Sequence, residues 1–210
     1  TVIDGELSLE ELGQAIFERI LAIASGEIVA YTDADVRVDP DWLTYLIQPL
    51  LNSDVAGVGG PNVVPADDPW VAQCVARAPG GPTHVMLDDR IAEHVTGCNM
   101  AFRKEALVAV DGFNPVYVRA GDDVDICWRL QAKKLDIGFA PSALVWHHRR
   151  ASVRSYWRQQ VGYGEGEAWL DAHHPEKFLG FLFLHALEGN PGPLGDYRHD
   201  VVLGDVHPFL

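Results

Sequence analysis

The 210-residue chain is poor in cysteine and short of positive charge, and no apolar run in it approaches membrane-spanning length. Each shortage excludes something. Cys74, Cys98 and Cys127 are odd in number and far apart, with no CxxC pair among them. No disulfide framework can be built from that pattern, so reduced, buried thiols in a cytoplasmic protein are expected. Sixteen Lys and Arg against thirty Asp and Glu give a formal net charge of −14. That argues against non-specific binding to nucleic acid or anionic lipid. An anionic substrate stays possible, because a bound divalent cation inverts the local field. A membrane-spanning helix needs about 20 apolar residues. The longest greasy patch, "FLGFLFLHAL" at 178–187, is too short and reads as a core helix or a partner-facing surface. No signal peptide opens the chain, and neither internal repeats nor low-complexity segments are seen.

Hydrophobic residues make up 48% of the sequence, enough for a real core and against wholesale disorder. The pattern reads as α/β. Residues 7–24 carry apolar residues at helical spacing, with Ser8 as cap, Glu11 three residues on and Gly26 as terminator. "EIVAYT" is a nearly continuous apolar run of the kind expected in a parallel sheet covered on both faces. "DPDWLTYLIQPLL" predicts a helix with Asp39 as cap and Pro40 at its first position. "VAGVGG", "NVV" and "NMAF" read as strands, "RKEALVAV" as a helix and "DGFN" as a turn. "DDVDICWRLQAKK" predicts a helix, "IGFAPSALVW" one or two strands, and a long helix runs from about Ser152 to Leu170. Residues 66–95 resist assignment, and the last thirty, rich in Gly and Pro, are expected to wrap the surface.

Three constellations carry chemistry. In "AYTDADVRVDPDWL", Asp33, Asp35 and Asp39 follow a buried strand. Ligands of open α/β sheets bind beyond the strands' carboxyl ends. Asp33 and Asp35, two apart, point the same way in extended chain and offer the hard oxygens that Mg²⁺ or Mn²⁺ prefers. A capped turn explains Asp39 better, and for the other two the turn and the metal site are evenly matched. In "RAGDDVDICWRL", Asp122, Asp123 and Asp125 cluster at a helix start. One aspartate suffices for capping, with Asp122 best placed. Another could serve as a general base. In "ALVWHHRR", a strand ends in His147 and His148 followed by Arg149 and Arg150. One imidazole could complete a metal site and the arginines could hold phosphate. Strand alternation turns His147 and His148 to opposite sides. His173 and His174 are expected at the surface.

Taken in order, "GEIVAYTDADVRVDPDWL", "GCNMAFRKEALVAVDGFN", "AGDDVDICWRLQ" and "VWHHRRASVRSYWRQQVGYGEGEAWL" resemble family 2 glycosyltransferases from about Ser25 to Leu170. The resemblance implies a GT-A fold: a mixed, mostly parallel sheet flanked by helices. It also implies a nucleotide-sugar donor, a carbohydrate or lipid-linked acceptor, and inversion at the anomeric carbon. On motif matching, Asp33 and Asp35 look like the DxD pair that holds the metal on the donor diphosphate, with His147 as a third ligand. Asp123 looks like the base. Gly97, Asn99, Arg103, Asp122, Trp128 and Arg158 are the expected substrate-side residues. "RQQVGYGEG" only loosely resembles the motif of processive members.

The match also departs from the family. The strand and turn of the type "VSVIIPTYN" that open family members have no counterpart here, and "VIDG" is a faint echo of their "DDGS"-like segment. The expected division is a partial catalytic domain over 1–177, lacking or diverging in the N-terminal nucleotide-binding part, and an apolar and Gly/Pro-rich segment over 178–210. Peripheral association with the inner membrane face is compatible with this reading. Two other readings stay open: a non-catalytic interaction module that keeps the fold, and a metal-dependent phosphohydrolase.

Overall fold

A computed structural model of the protein describes residues 21–178 together with Arg19. The expected N-terminal helix therefore falls outside the described residues apart from its end, where 21–23 are helical and a bend follows at Gly26. The segment expected over 178–210 lies outside them but for Phe178.

Six strands form the main sheet. In chain order they are β1 (Ile28–Tyr31), β3 (Gly57–Gly59), β5 (Val85–Met86), β6 (Ile91–His94), β7 (Met100–Arg103) and β8 (Ile137–Phe139), arranged β1-β7-β3-β8-β6-β5. A second, three-stranded sheet runs β2 (Val36–Val38), β9 (Val145–His147), β4 (Asn62–Val63). The helices are α1 (Trp42–Asn52), α2 (Trp70–Val75), α3 (Lys104–Ala109), α4 (Asp122–Ala132) and α5 (Val153–His173).

The fold is mixed α/β as expected, but the sheet is mostly antiparallel, which corrects the expected strand direction. In the main sheet only β3 and β8 pair in parallel; β7 inserts antiparallel between β1 and β3. The residues explain the error. Met100, Ala101 and Phe102 of β7 are all buried, although the strand is antiparallel to both neighbours. The run "EIVAYT" is not covered on both faces: β1 stands at the end of the strand order, half-buried with Ala30 exposed and antiparallel to β7, so a continuous apolar run fixes neither burial nor direction. The unassigned stretch 66–95 holds α2 and the antiparallel pair β5–β6.

The core lies on both faces of β7. Phe102, Leu107, Ile126, Leu130 and Ile137 pack between the sheet, α3 and α4. Trp42, Leu46, Leu50, Val58 and Val145 pack α1 against the other face. Helix α1 begins two residues later than expected, at Trp42. Asp39 still organises its start, because its Oδ1 accepts the Asp41 N–H at 3.0 Å and its carbonyl accepts the Trp42 N–H. Ser152 caps α5 as a helix-starting serine should, accepting the Ser155 N–H.

Two expectations of burial are reversed. Cys74 is exposed on α2, where only Ala72 is buried; Cys98 and Cys127 are buried. His174, expected at the surface, is buried. Its Nε2 lies 2.8 Å from Asp125 Oδ1 and its ring stacks edge-on against Trp128. Among the described residues, no helix is long and apolar enough to cross a membrane.

Candidate active site

Chain ends from both sheets and both long C-terminal helices converge on one cleft. Its volume is about 1190 Å³, larger than the ~300–1,000 Å³ usual for a drug-sized ligand. The end of β1 contributes Tyr31 and Thr32 and leads directly to Asp33 and Asp35. Val36 then opens β2, paired opposite His147 on β9. That register carries the aspartate turn to the imidazole. His147 Nε2 lies 3.9 Å from Asp35 Oδ1, and one ligand atom from each of Asp33, Asp35 and His147 lies within 4.8 Å of the others. His148 points away, as strand alternation requires, and meets Asp68.

Two carboxylates and an imidazole suit a hard or borderline divalent cation. Burial raises Asp33 above the ordinary carboxylate range; His147 opposes this, and the neighbouring charges of Asp35 and Asp123 reinforce it. Burial and the Arg149 charge lower His147 below the usual histidine value, against the pull of Asp35 and Asp33.

Asp122 and Asp123, at the start of α4, line the same cleft. Gly121, not Asp122, takes the N-cap position, with φ at 94°. A left-handed backbone there favours glycine, and it corrects the expected capping role of Asp122. Asp122 instead faces the cleft as the first helical residue. Burial and the adjacent Asp123 charge push its carboxyl up to about 7. Asp123 is held by backbone donors: Oδ2 accepts the Gly97 N–H and Oδ1 the Val124 N–H, both at 2.9 Å. Asp125 is turned into the interior, bonded to Arg129 and His174. The helical rotation between positions two apart separates it from Asp123.

Gly97 and Arg158 also line the cleft. Three other expected substrate-side residues do not. Asn99 is fully buried: Oδ1 accepts the Trp42 indole N–H at 2.7 Å, and Nδ2 donates to the carbonyls of Pro61 and Ala143. Arg103 spends its guanidinium on the carbonyls of Leu50, Ser53 and Val55, where α1 ends. Trp128 is buried and donates its indole N–H to Glu93.

Sequence reasoning missed most of what α5 contributes. Gln159, Gly162, Tyr163 and Gly166 line the cleft; Arg150 just before the helix, already a candidate phosphate holder, lines it too. The signal was the spacing of Gly162 and Gly166, one helical turn apart on one face. A Cβ on Gly166 would lie 2.6 Å from the Ala120 carbonyl oxygen, so only glycine lets α5 approach the loop that carries Asp122 and Asp123. Burial drives the Tyr163 hydroxyl up to about 12.

The chain is 29% identical over 167 residues to the pre-mycofactocin glycosyltransferase of Mycobacterium tuberculosis, an alignment covering 75% of this chain and 34% of that protein. It is 26% identical over 170 residues to the O-antigen biosynthesis protein RfbC of Myxococcus xanthus, covering 70% of this chain and 13% of that one. The chain thus spans about a third or less of the length of these relatives. Its fold is similar to the crystal structure of GalNAc-T7 with UDP, GalNAc and Mn²⁺. The TM-score is 0.51 at 15% identity, with coverage of 89% of this chain and 39% of that one. Residues 5–161 match the family described as glycosyltransferase like family 2, and the chain belongs to that family.

Proposed function

We propose that the cleft transfers a sugar from a nucleotide-sugar donor to an acceptor hydroxyl with inversion, assisted by Mg²⁺ or Mn²⁺. One observation carries the reading. Asp33, Asp35 and His147, placed to share a cation, line the same cleft as the acidic pair Asp122 and Asp123, close enough for Asp33 to feel the Asp123 charge. Glycosyl transfer needs such a division. One group of residues must manage charge on the leaving diphosphate, and another must take a proton from the nucleophile.

Asp33, Asp35 and His147 would hold the cation. When bound, it offsets the negative charge that gathers on the departing diphosphate. The size of the cleft suits a donor and an acceptor together. Asp123, oriented by the Gly97 and Val124 N–H groups, is the assigned base: it takes the acceptor's hydroxyl proton as the oxygen bonds to the anomeric carbon and the bond to diphosphate breaks. Attack from the face opposite the leaving group gives inversion. Asp122 is the rival base, because a carboxyl pushed up to about 7 is matched to proton transfer near neutrality.

The acceptor is a carbohydrate or a lipid-linked glycan. Val153, Trp157 and Val161 are exposed at four-residue spacing on α5, alongside Arg154 and Arg158. That stripe suits the apolar part of a lipid-linked acceptor, whereas the net charge of −14 disfavours attraction to anionic lipid. GalNAc-T7, similar in fold, was crystallised with UDP, GalNAc and Mn²⁺, and these compounds are sensible first probes.

The test is nucleotide release from a panel of UDP-, GDP- and dTDP-sugars with Mn²⁺, with and without candidate acceptors. Acceptor-dependent release of nucleoside diphosphate is the expected result. Release of inorganic phosphate would make the protein a phosphohydrolase, and absence of donor binding would leave an interaction module.

A further inference from the structure

His147 and Arg149 share a hydrogen bond that conflicts with the use of His147 as a metal ligand. Arg149 Nη1 lies 3.1 Å from His147 Nδ1. A guanidinium only donates, so Nδ1 is the acceptor. A neutral His147 then carries its proton on Nε2. Nε2 is the nitrogen facing Asp35, and a ring nitrogen bearing a proton has no lone pair to give a cation. Metal-bound histidines show the reverse arrangement, in which the nitrogen far from the metal donates to a carboxylate, a carbonyl or water. Arg149 cannot receive that bond. Its guanidinium also donates to Asn62 Oδ1, and its main-chain N–H to Asp68.

We propose that Arg149 is a positioning residue that gates the third metal ligand. Until a nucleoside diphosphate arrives, it keeps His147 in the tautomer that cannot ligate. Ligation requires Arg149 to leave Nδ1 for a new acceptor. The fork geometry of a guanidinium suits the oxygens of a phosphate, so the diphosphate entering beside the cation is that acceptor. This inference rests on the donor class proposed above. It implies that a cation alone engages Asp33 and Asp35, whereas a cation with nucleoside diphosphate engages all three residues.

Two measurements test it. The first is the nitrogen NMR of the His147 imidazole in the metal-free wild-type protein, which reports directly which nitrogen carries the proton. The proposal requires Nε2–H; an Nδ1–H tautomer overturns it. The second is a double-mutant cycle read by calorimetric Mn²⁺ titration without nucleotide, using wild type, Arg149→Gln, His147→Ala and the double variant. The Gln side-chain oxygen can accept an Nδ1–H and so admits the ligating tautomer. Arg149→Gln is expected to bind Mn²⁺ roughly ten- to a hundred-fold tighter, the usual scale for groups behind a metal ligand. The gain should vanish in the His147→Ala background. A gain that persists there reports only the loss of a positive charge and overturns the proposal, as does no gain at all. Failure of all four proteins to bind Mn²⁺ overturns it together with the metal site. Failure of nucleotide release with the cycle intact would sink the donor assignment and with it the diphosphate's part in the gate, leaving only the hold of Arg149 on His147.

Discussion

Asp123 Oδ2 accepts the Gly97 N–H at 2.9 Å, joining the start of α4 to the loop ahead of β7 across 26 positions. The bond fixes one carboxylate of the acidic pair against a loop that itself lines the cleft. It also separates the roles of two aspartates that are adjacent in sequence.

If Asp123 is the base, Asp123→Asn keeps the shape and loses the proton acceptor. Donor affinity should stay near wild type while turnover falls by the ~10²–10⁴-fold that a general base contributes. Steady-state kinetics on Asp122→Asn, Asp123→Asn and Asp125→Asn decide the matter. Wild-type turnover in Asp123→Asn, with loss in Asp122→Asn, would transfer the role to Asp122.

Asp122 also predicts a pH dependence of stability. Its folded carboxyl, pushed up to about 7 from an ordinary 3.8, keeps a proton that the unfolded chain has already released. Between those values the unfolded state binds fewer protons, so stability falls as pH rises through the window. Asp122→Asn removes the cost. Its Tm should exceed wild type at about pH 8 and converge with it near pH 3, below the unfolded value of 3.8. Equal Tm differences at the two pH values would contradict the assignment.

Much of the local structure was legible because its signals are local. Ser152 caps α5 through a residue three positions away, and the Asp39 turn spans three positions. The choice of His147 came from its place in the motif and the opposite facing of His148 from strand alternation; the register that carries His147 to Asp35 is visible only in the fold. What could not be read depends on distant partners. Asn99 looks like a site residue within its motif, but its bonds reach Trp42, 57 positions back, and Ala143, 44 positions on. Arg103 is similarly consumed by carbonyls about fifty positions earlier. His174 looks exposed on a polar helix end until Asp125 and Trp128 of α4 are placed beside it. Strand direction was hidden for a different reason, since a strand buried on both faces has the same composition either way.

Asn99 should therefore behave as a structural residue. Asn99→Ala strands the Trp42 indole N–H and the Ala143 carbonyl in the interior, while the Pro61 carbonyl keeps the Val145 N–H. Each buried group left unpaired costs about 1–3 kcal/mol. Chemical denaturation should show a loss on that scale, with KM for the donor unchanged in whatever fraction remains folded. A stable variant with a raised KM would return Asn99 to the substrate side.

Gly166→Ala tests the seating of α5. The added methyl meets the Ala120 carbonyl oxygen at 2.6 Å and its carbon at 2.9 Å. Backbone cannot yield as a flexible side chain can, so α5 must shift away from the loop before Asp122. A lowered Tm and reduced turnover are expected together. Gly164→Ala on the same helix, where a Cβ meets nothing within 4 Å, should change neither by much.

The metal assignment is the centre of the account, and crystals grown with Mn²⁺ and a nucleoside diphosphate test it most directly. The anomalous difference map should show one manganese peak roughly 2.0–2.6 Å from carboxylate oxygens of Asp33 and Asp35, in contact with the diphosphate, and absent from Asp35→Ala crystals grown alike. A nucleotide seated in the cleft with no manganese at those carboxylates, or a manganese bound elsewhere, would contradict it.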